Sequence, residues 1–482
     1  MIDTSAFQGK TAHYYTLGCK LNFSETSTFA NALRELGVRT AEKGEKADIC
    51  LINTCSVTSV ADRKCRQAIH RVIRENPGAF VVVTGCYAQL EAPAIADIDG
   101  VDLVLGNNEK ARLIPLLYEA FTLHSPLLTP HSPLLTPHSS LLTPPSTLIY
   151  PPSTLLPPPS SLSKVIRQEK AKDITSFAPS CSRGNRTRYF LKVQDGCDYF
   201  CTYCTIPFAR GFSRNPPIAS LVAQAGEAAR EGGREIVLTG VNIGDFGKTT
   251  GESFIDLVRA LDGVEGISRF RISSLEPDLI SDELINYCAH ESRAFMPHFH
   301  IPLQSGSDTV LRLMHRHYDS RLFREKIIRI KELMPDAFIG VDVMAGCRGE
   351  TAACFEETYA LLQSLPVSQL HVFPYSERPG TQALKIPHVV TKEEQDERVN
   401  RLLTLSEQKT RDFYITYMLR EAEVLFEKAP RGRAMHGFTR NYIRVELPGR
   451  EARPEYDNQI MNVALGDFNR DGTALMAAIN EA

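Results

Sequence analysis

Three cysteines stand close together in the segment GCDYFCTYCTIPFARG, which directly follows the apolar run YFLKVQD. They are Cys197, Cys201 and Cys204, in a CxxxCxxC spacing. Three thiolates on one loop can bind three irons of a cubane cluster and leave the fourth iron open to another ligand. A zinc site completed by a distant His is the competing metal site, although zinc thiolates usually come as CxxC pairs, and simple burial is the plain alternative. The spacing therefore favours a four-iron cluster.

A second set of cysteines is spread over the first hundred residues. Cys19, Cys55 and Cys86 each follow an apolar run, namely HYYTL, DICLINT and FVVVTG. In a parallel sheet the carboxyl ends of the strands face one crevice, so loops that are distant in sequence converge there. A single cysteine is most often a small core residue, but here the same local context occurs three times. The pattern therefore predicts a second three-thiolate metal site.

Most of the other cysteines lack this context. Cys50 lies within an apolar strand and Cys65 within a helical segment, and we expect both to be core residues, as are Cys288 and Cys354. Cys181 lies in a loop before the CxxxCxxC segment and has no assigned role.

The composition limits the class of protein. The 482 residues include 54 basic and 57 acidic side chains, for a net charge of −3, and 43% are hydrophobic. These values exclude wholesale disorder and argue against a general polybasic nucleic-acid binder, although one local basic surface is allowed. The polar beginning of the chain and the lack of any run approaching 18 apolar residues argue against a signal peptide and a membrane protein. We therefore expect a cytoplasmic protein whose 12 cysteines are reduced and available to metals.

Alternating strands and helices must position the cysteines. Residues 10–120 alternate short apolar runs with amphipathic segments, a rhythm typical of a parallel α/β sheet. The rhythm returns between about 187 and 387 with six or so strands, which predicts an open or closed β/α barrel. A helical stretch near 391–420 follows, and then short strands separated by turns, as in a small β-barrel. We assign the three domains to 1–122, 180–411 and 412–482.

A low-complexity insert at 123–163 separates the first two domains. No Asp, Glu, Lys or Arg occurs between Glu119 and Lys164, and repeats similar to HSPLLTP recur every seven residues. Frequent prolines fix φ and remove amide donors, so neither a helix nor a paired strand can persist. We interpret the insert as a semi-extended linker. A proline-rich docking segment is the functional alternative, but the repeat lacks flanking basic or aromatic anchors.

The order and spacing of the six patterned cysteines resemble a known family. LGCxxN, NTC and GC motifs, followed by CxxxCxxC with Tyr203 just before the last Cys, resemble the methylthiotransferases of the radical S-adenosylmethionine (SAM) superfamily. The resemblance covers the whole chain except the insert. It implies an α/β fold with an N-terminal parallel α/β methylthiotransferase domain, a radical SAM β/α barrel and a C-terminal small β-barrel of the TRAM type.

The resemblance also implies cofactors and a substrate. Each set of three cysteines would bind one 4Fe-4S cluster, and S-adenosyl-L-methionine would bind the open iron at the CxxxCxxC loop, where one electron cleaves it to a 5′-deoxyadenosyl radical. The TRAM domain would contact RNA. The segments TLGCKLN, with Lys20, and VDLVLGNNEK are most similar to the branch that modifies N6-threonylcarbamoyladenosine next to the anticodon of tRNA. The implied product is the 2-methylthio derivative of that nucleoside.

Such a reaction explains the need for two clusters. Carbon 2 of adenine bears an unactivated C–H bond that no side-chain acid or base attacks at neutral pH, so the reaction needs a radical and a separate sulfur carrier. By analogy, one SAM methylates sulfur at the first cluster and a second SAM is cleaved at the other. The resemblance further implies the tRNA anticodon stem-loop as a partner and an electron donor such as flavodoxin or ferredoxin, and we expect a monomer.

Two alternatives stay open from the sequence. The first is a sister enzyme that acts on isopentenyladenosine in tRNA or on a ribosomal protein, branches in which a Gln or a Pro usually follows the first Cys. The second is a noncatalytic metal-binding RNA module with zinc thiolates.

Further barrel residues would contact SAM by the same resemblance. The set consists of Tyr203, near the adenine, and of Gly240, Asn242, Glu276, Gln304, Ser305 and Arg316. Structural roles compete with binding: Gly240 suits a turn, Glu276 a solvated loop and Arg316 a helix surface. One departure from the family concerns its common GFPGE-like turn, which reads AGCRGE here, with Cys347 and Arg348 at the variable positions. We do not expect Cys347 to be an extra ligand.

The tail contains the candidate RNA-binding residues. Arg440, Tyr442 and Arg444 lie in the segment GFTRNYIRVEL, within an Arg-rich stretch. Arginines pair with phosphates and aromatic rings stack on unpaired bases. A solvated barrel surface is the alternative, but together with the family resemblance the pattern predicts contact with RNA.

Overall fold

The first part of the chain folds into one parallel sheet. The computed structural model describes residues 4–124, 165–182 and 187–479. The predicted insert at 123–163 therefore lies outside the described residues, except for its first two positions. The strands are β1 (Thr11–Thr16), β2 (Arg39–Thr40), β3 (Ile49–Thr54), β4 (Phe80–Gly85), β5 (Leu103–Leu105) and β6 (Val165–Arg167). Their order is β2-β1-β3-β4-β5-β6, with all neighbours parallel. The order reverses between β1 and β3, and such a point opens a crevice at the carboxyl ends of the strands.

Helices cover both faces of this sheet. They are α1 (Lys20–Glu35), α2 (Ser59–Glu75), α3 (Cys86–Leu90), α4 (Ala92–Ala96) and α5 (Leu113–His124). Along β3, Ile49 and Leu51 join one buried apolar cluster, whereas Cys50 and Ile52 join the cluster on the opposite face. Successive side chains of a strand point to opposite faces, so a strand covered on both sides is apolar throughout. Cys50 and Cys65 lie in this core, as expected.

Six further parallel strands form an open barrel. They are β7 (Arg188–Lys192), β8 (Glu235–Thr239), β9 (Arg269–Ile272), β10 (His298–Gln304), β11 (Phe338–Ala345) and β12 (Gln369–Pro374). They pair in sequence order within β7-β8-β9 and β10-β11-β12, and isolated parallel bridges connect the two sheets. Within the described residues β7 and β12 do not pair with each other, so the barrel is open along one side.

Helices pack around this barrel, and most of them contribute to the largest apolar core. They are α6 (Ile206–Arg210), α7 (Ile218–Arg230), α8 (Phe254–Asp262), α9 (Asp282–His290), α10 (Asp308–Leu313), α11 (Ser320–Leu333), α12 (Ala352–Ser364) and α13 (Lys392–Ile415). The helix α13, which was predicted near 391–420, begins with a capping box between Thr391 and Glu394, so two of its free backbone amides are satisfied.

The tail closes into a separate five-stranded barrel. Its strands are β13 (Glu421–Phe426), β14 (Met435–Thr439), β15 (Arg444–Leu447), β16 (Ile460–Phe468) and β17 (Leu475–Ile479), in the closed order β13-β14-β15-β17-β16. Buried arginines of β9 attach it to the larger barrel. Arg269 donates to the carbonyl of Phe438 and Arg271 to that of Thr439, each over 2.9 Å.

The predicted fold class is confirmed: a parallel α/β sheet, an open β/α barrel and a small closed β-barrel follow one another along the chain. One element lies beyond the N-terminal range of 1–122, because β6 pairs with β5 and extends the first sheet. Its three residues are too few to show a strand period in the sequence. No helix among the described residues is long and apolar enough to cross a membrane.

Candidate functional site

Cys197, Cys201 and Cys204, here called the barrel thiols, lie on the loop that follows β7. The loop is fixed by its backbone: the Cys197 amide donates to the Gly211 carbonyl over 3.0 Å, and the Cys204 amide to the Cys201 carbonyl over 2.9 Å. Burial, together with the mutual repulsion of the three thiolates, raises the pKa of Cys197 and of Cys204 to about 12. The structure brings these thiols together at a place where a bound metal would displace their protons.

Cys19, Cys55 and Cys86, here called the N-terminal thiols, follow the neighbouring strands β1, β3 and β4. The first two flank the crevice where the strand order reverses. A Cβ atom on Gly18 would lie 2.7 Å from the Cys55 sulfur, so the two loops approach closely. Gly18 also has a φ of +100°, which L side chains rarely adopt. Burial, followed by the charge of Cys86, raises the pKa of Cys55 to about 12.

Zinc sites and four-iron clusters differ in the distances between their cysteine sulfur atoms. In the described parts of the chain, one set of three candidate ligand atoms lies within 4.8 Å of one another. This set contains no cysteine. A tetrahedral zinc site with bonds of about 2.3 Å brings its sulfur atoms to about 4 Å from one another. In a cubane cluster each thiolate binds a different iron, so the sulfur atoms stand farther apart. Among the described residues, neither set of thiols has the close mutual spacing of such a zinc site.

A buried arginine connects the two sets of thiols. Arg210 ends the short helix α6, six residues after Cys204, and is 1% exposed. Its Nε atom donates to the Cys86 sulfur over 3.3 Å. Its Nη atoms donate to Glu25 over 3.0 Å and to Asn22 over 2.8 Å, both on α1. The side chain therefore reaches from the segment of the barrel thiols to one of the N-terminal thiols.

Arg210 is part of a buried charge network between the two domains. The network consists of Glu25, Lys110, Lys192, Asp195, Arg210 and Arg214. Burial alone would raise the pKa of Glu25, but the positive charges around it hold that pKa well below its usual range. The six side chains carry four positive and two negative charges. The excess positive charge beside Cys86 fits a set of three thiolates that binds an anionic iron–sulfur cluster.

The loop of Cys55 is held from both domains. Arg378, which follows β12, donates to Asp62 over 2.6 Å and to the Ser56 hydroxyl over 2.8 Å. From α2 of the N-terminal domain, the Cys65 thiol donates to the Cys55 carbonyl over 3.3 Å and accepts from the Cys55 amide over 3.4 Å. Cys65 is thus a core residue that also supports a candidate metal ligand.

Arg316 and Glu276 lie beside the barrel thiols. Arg316 donates to the Cys201 sulfur over 3.1 Å and forms a salt bridge with Glu276. Its side chain is 3% exposed, which excludes a role as a helix-surface charge. Burial raises the pKa of Glu276 to about 7, because the nearby Arg316 offsets it only in part. Tyr203 packs against the neighbouring apolar cluster around Val310.

The carboxyl end of β8 offers polar atoms without a partner. Asn242 is 3% exposed, and neither atom of its side-chain amide has a hydrogen-bond partner in the structure. An unpaired buried polar group costs about 1–3 kcal/mol, so it is expected where a ligand pairs with it. Gly240 lies close to Gln194, because a Cβ atom would stand 2.9 Å from the Gln194 carbonyl oxygen. The unpaired amide of Asn242 therefore fits the expected SAM site.

Gln304 and Ser305 lie where β10 ends. Gln304 has a φ of +62° at an irregularity of the strand register. A strained backbone of this kind persists where surrounding structure holds it, often at a ligand site. Ser305 is 1% exposed, and its hydroxyl lies 3.2 Å from that of Thr358. The Ser305 hydroxyl is therefore hydrogen-bonded within the protein, whereas Gln304 is half-buried at the end of the strand.

The AGCRGE turn keeps its shape despite its altered residues. Gly346 and Gly349 have φ values of +81° and +85°. Cys347 is 3% exposed and lies within an apolar cluster. Arg348 donates to Glu377 over 2.6 Å and so fastens the turn to the loop after β12.

The three predicted RNA-binding residues have different surroundings. The half-buried ring of Tyr442 lies 4.2 Å from that of His298 and 4.7 Å from that of Phe438, measured between ring centres. Tyr442 therefore helps to dock the tail barrel on the larger barrel. The Arg440 side chain is 54% exposed and Arg444 is partly exposed, so both guanidinium groups are accessible to phosphates.

Some of these side chains were not predicted from the sequence. The buried partners Arg210 and Glu25 were missed because no periodic pattern marks a buried charge; the short spacing from Cys204 to Arg210 was the one available signal. His300, Asp342 and His371, which come together on three neighbouring strands, were also missed. Their strands were expected, but the strand register was not.

Two family models match the chain. Residues 11–106 match the Uncharacterized protein family UPF0004, and residues 191–362 match the Radical SAM superfamily. The first range includes the N-terminal thiols and the second the barrel thiols.

Several curated relatives match nearly the whole chain. The chain is 34% identical to the threonylcarbamoyladenosine tRNA methylthiotransferase MtaB of Bacillus subtilis (strain 168), over 92% of this chain and 91% of the relative. It is 33% identical to the protein of the same name from Aquifex aeolicus (strain VF5), over 90% and 96%. A tRNA-2-methylthio-N(6)-dimethylallyladenosine synthase of Sulfurihydrogenibium sp. (strain YO3AOP1) is 28% identical, over 94% and 96%.

Among solved structures, the radical S-adenosylmethionine methyltransferase TsrM from Kitasatospora setae superposes with a TM-score of 0.51. The match covers 98% of this chain and 85% of TsrM at 13% sequence identity. At this level of identity the likeness concerns the fold alone.

Proposed function

The chain belongs to the radical SAM methylthiotransferases, and we propose how its side chains perform the methylthiolation of N6-threonylcarbamoyladenosine in tRNA. It is an enzyme of this class, a tRNA methylthiotransferase that uses SAM and 4Fe-4S clusters. The observation that carries our assignment is that Arg210 extends from the segment of the barrel thiols to the Cys86 sulfur. The two domains that carry the two sets of thiols are thus joined at this side chain.

We assign one half of the reaction to each set of thiols. When bound, the cluster at the barrel thiols supplies the electron that cleaves SAM, and the cluster at the N-terminal thiols carries the sulfur that is methylated and transferred. The protein's own contribution is to fix the distance between the two sets. Arg210 and Arg378 do so, because each bonds across the junction of the two domains.

The residues around the barrel thiols are assigned to SAM. The Asn242 amide provides an unpaired donor and acceptor, and the Glu276 carboxylate provides a further acceptor for polar groups of SAM. Arg316 holds Cys201 and offsets the charge of its thiolate. Gly240 and Gln304 form the strand ends that border the site, Tyr203 lies on the side assigned to the adenine, and Ser305 fixes the turn after β10.

We assign RNA contact to the tail. The exposed guanidinium groups of Arg440 and Arg444 would pair with phosphates of the anticodon stem-loop. Tyr442 would act indirectly, by fixing the orientation of the tail barrel on the larger barrel. We expect the enzyme to act as a monomer in the cytoplasm, where its tRNA substrate is found and its thiols are kept reduced.

An exposed aromatic patch is the proposed docking surface of the electron donor. Phe200, Phe208 and Phe212 are 44%, 51% and 49% exposed. The ring of Phe200, which lies between Cys197 and Cys201, contacts each of the other two rings. Exposed aromatic clusters of this kind are typical of protein interfaces. A small electron carrier such as flavodoxin or ferredoxin must approach the cluster that it reduces, and the patch begins on the loop of the barrel thiols and continues onto and beyond α6.

Anaerobic reconstitution tests the division of labour. We expect about eight irons per chain and production of 5′-deoxyadenosine. Cys197→Ala should abolish SAM cleavage, whereas Cys55→Ala should keep cleavage and block methylthiolation of tRNA, measured by nucleoside mass spectrometry. Cys288→Ala is the matched control and should keep both activities, because Cys288 lies on α9, away from both sets.

Two results would reject the assignment. Equal loss of SAM cleavage in Cys55→Ala and Cys197→Ala would contradict separate roles, and colourless protein that carries zinc would reject the enzyme mechanism altogether. The substrate is tested in a deletion strain. If 2-methylthio-N6-threonylcarbamoyladenosine persists in its tRNA, with no second gene responsible, the substrate assignment is wrong.

A further inference from the structure

Two histidines and an aspartate meet inside the open barrel. They are His300 on β10, Asp342 on β11 and His371 on β12, here called the polar trio. The His300 Nε2 atom lies 2.6 Å from the Asp342 carboxylate, and the two imidazole centres are 4.8 Å apart. The register pairs Asp342 with His371. Residues paired in register point to the same face of a sheet, so the trio forms one partly buried polar surface that the reaction described above does not use.

The polar trio lies beside the segment of Glu276, because the Leu275 amide donates to the His300 carbonyl over 3.0 Å. Burial dominates the raised pKa of Glu276, beside the barrel thiols, and the charge of Asp342 adds to it. Burial likewise dominates the lowered pKa of His371, and the charge of Lys20 adds to it. Lys20 directly follows Cys19 and begins α1. The trio therefore neighbours Glu276 and lies within electrostatic reach of the exposed Lys20.

The substrate base must enter the same space. Carbon 2 of its adenine must be accessible from the side of the barrel thiols, where the hydrogen is removed. It must also be accessible from the side of the N-terminal thiols, where sulfur is delivered. The substituent on N6 is attached close to that carbon, so the protein must accommodate it near the two sets of thiols. The threonylcarbamoyl substituent carries a carboxylate, a hydroxyl and urea N–H groups, whereas an isopentenyl substituent is entirely apolar.

We propose that the polar trio and Lys20 form the recognition site for the threonylcarbamoyl group of the substrate. Lys20 and His371 face its carboxylate, and Asp342 accepts hydrogen bonds from its hydroxyl or urea N–H groups. His300 orients Asp342 through their hydrogen bond. This inference rests on the proposed function, and it assigns the discrimination between tRNA substrates to named side chains.

Charge and hydrogen bonding give this site its selectivity. A hydrogen bond to a carboxylate from a charged donor is about twice as strong as a neutral one. A site built to bond polar groups also rejects an analogue that lacks them, because its own buried groups are then left unpaired. An isopentenyl group offers no charged or hydrogen-bonding partner to Lys20, Asp342 or His371. We therefore expect each lost charged contact to weaken substrate binding about tenfold to a hundredfold.

Binding of three synthetic anticodon stem-loops to the reconstituted enzyme tests the proposal. Their target nucleoside is N6-threonylcarbamoyladenosine, its carboxyl methyl ester or plain adenosine. Fluorescence anisotropy under anaerobic conditions gives each dissociation constant. We expect the unaltered enzyme to bind the acid about tenfold to a hundredfold more tightly than the ester, because the ester carries no charge.

Variants locate the effect. Lys20→Met should bind acid and ester equally, Lys20→Arg should restore part of the preference, and Asp342→Asn should reduce the preference for the acid over plain adenosine. Lys43→Met, at an exposed lysine of the same domain, is the matched control and should keep the preference. Iron content and affinity for the adenosine stem-loop should stay unchanged in all of them.

The outcomes separate this inference from the proposed function. If the unaltered enzyme methylthiolates the acid substrate but binds acid and ester equally, or if Lys20→Met keeps the preference, the recognition site is wrong and the function stands. If the unaltered enzyme does not methylthiolate the acid substrate, the proposed function fails first. One equivalent of zinc that binds to the reconstituted enzyme and is lost in His371→Gln would show a metal site instead and overturn the proposal.

Discussion

Replacement of Arg210 by Met should weaken the junction of the two domains. The guanidinium makes five polar contacts, to Cys86, Asn22, Asp195 and both oxygens of Glu25, at 2.8–3.3 Å. Met keeps much of the apolar volume but leaves these groups buried without their partner. Breaking a buried ion pair from one side costs about 3–5 kcal/mol. We expect the lower part of this range, because the lysines and Arg214 still balance the two carboxylates.

Urea unfolding of the metal-free protein under anaerobic conditions measures this loss by circular dichroism, a suitable probe since the chain has no Trp. Hydrogen exchange should locate the weakening in α1 and α6. The matched control is Arg259→Met, which removes an exposed salt bridge to Glu283; such pairs contribute about 0–1 kcal/mol. A loss in Arg210→Met no larger than in the control would refute the reasoning.

A double-mutant cycle separates the ion pair from the thiol contact. Glu25→Gln and Arg210→Met together should cost less than the sum of the single changes, with a coupling of about 1 kcal/mol or more. The contact to Cys86 has its own measurement after reconstitution. Loss of a positive charge beside one thiolate should lower the reduction potential of one cluster in Arg210→Met and leave the other unchanged, as followed by electron paramagnetic resonance.

Further changes give independent tests. Gly18→Ala should displace Cys55 and reduce the iron content from about eight to about four per chain, whereas Gly44→Ala, which has a similar φ but no neighbour within 4 Å, should keep both clusters. Phe208→Ser should slow SAM cleavage with flavodoxin as the reductant but not with dithionite, and an equal rate with both reductants would remove the aromatic patch as the docking surface. Asp262→Asn should cost about 1–3 kcal/mol of unfolding free energy. Burial opposes ionisation of this carboxylate, but bonds from backbone amides hold its pKa below the usual range, so the wild type should lose this advantage as the pH falls below about 4. Deletion of 124–158 should keep activity largely intact if the insert is a linker.

The sequence predicts where the thiols lie better than it predicts the side chains that hold them in place. Cys19, Cys55 and Cys86 stand after recognisable strands, and the carboxyl ends of parallel strands converge by geometry alone, so their meeting follows from local pattern. The partners of Arg210 could not be predicted in this way. They depend on how two domains dock, and no periodicity in either domain encodes that arrangement.

The same reasoning applies to the polar trio. His300 and Asp342 occupy strands whose alternation was visible, but an inward polar side chain on a barrel strand is indistinguishable from an outward one until the register is known. Tyr442 is a second example, in which the structure adds a packing role to the predicted one. An aromatic residue among arginines suggests base stacking, whereas its half-buried ring docks one domain on another. Composition identified the segment but not the direction of the side chain.

The character of the domain junction follows from the chemistry that it supports. An apolar interface tolerates small shifts, because hydrophobic contacts are not directional. A hydrogen-bonded charge network is costly when any partner is missing, so it favours one arrangement of the two domains. The reaction needs a radical source and a sulfur carrier at fixed positions around one carbon atom, and an error of about 1 Å in such a geometry can cost about a hundredfold in rate. We therefore expect conservative apolar replacement of the whole network to keep the fold stable while it loosens the spacing of the thiols, so methylthiolation should fall more than SAM cleavage.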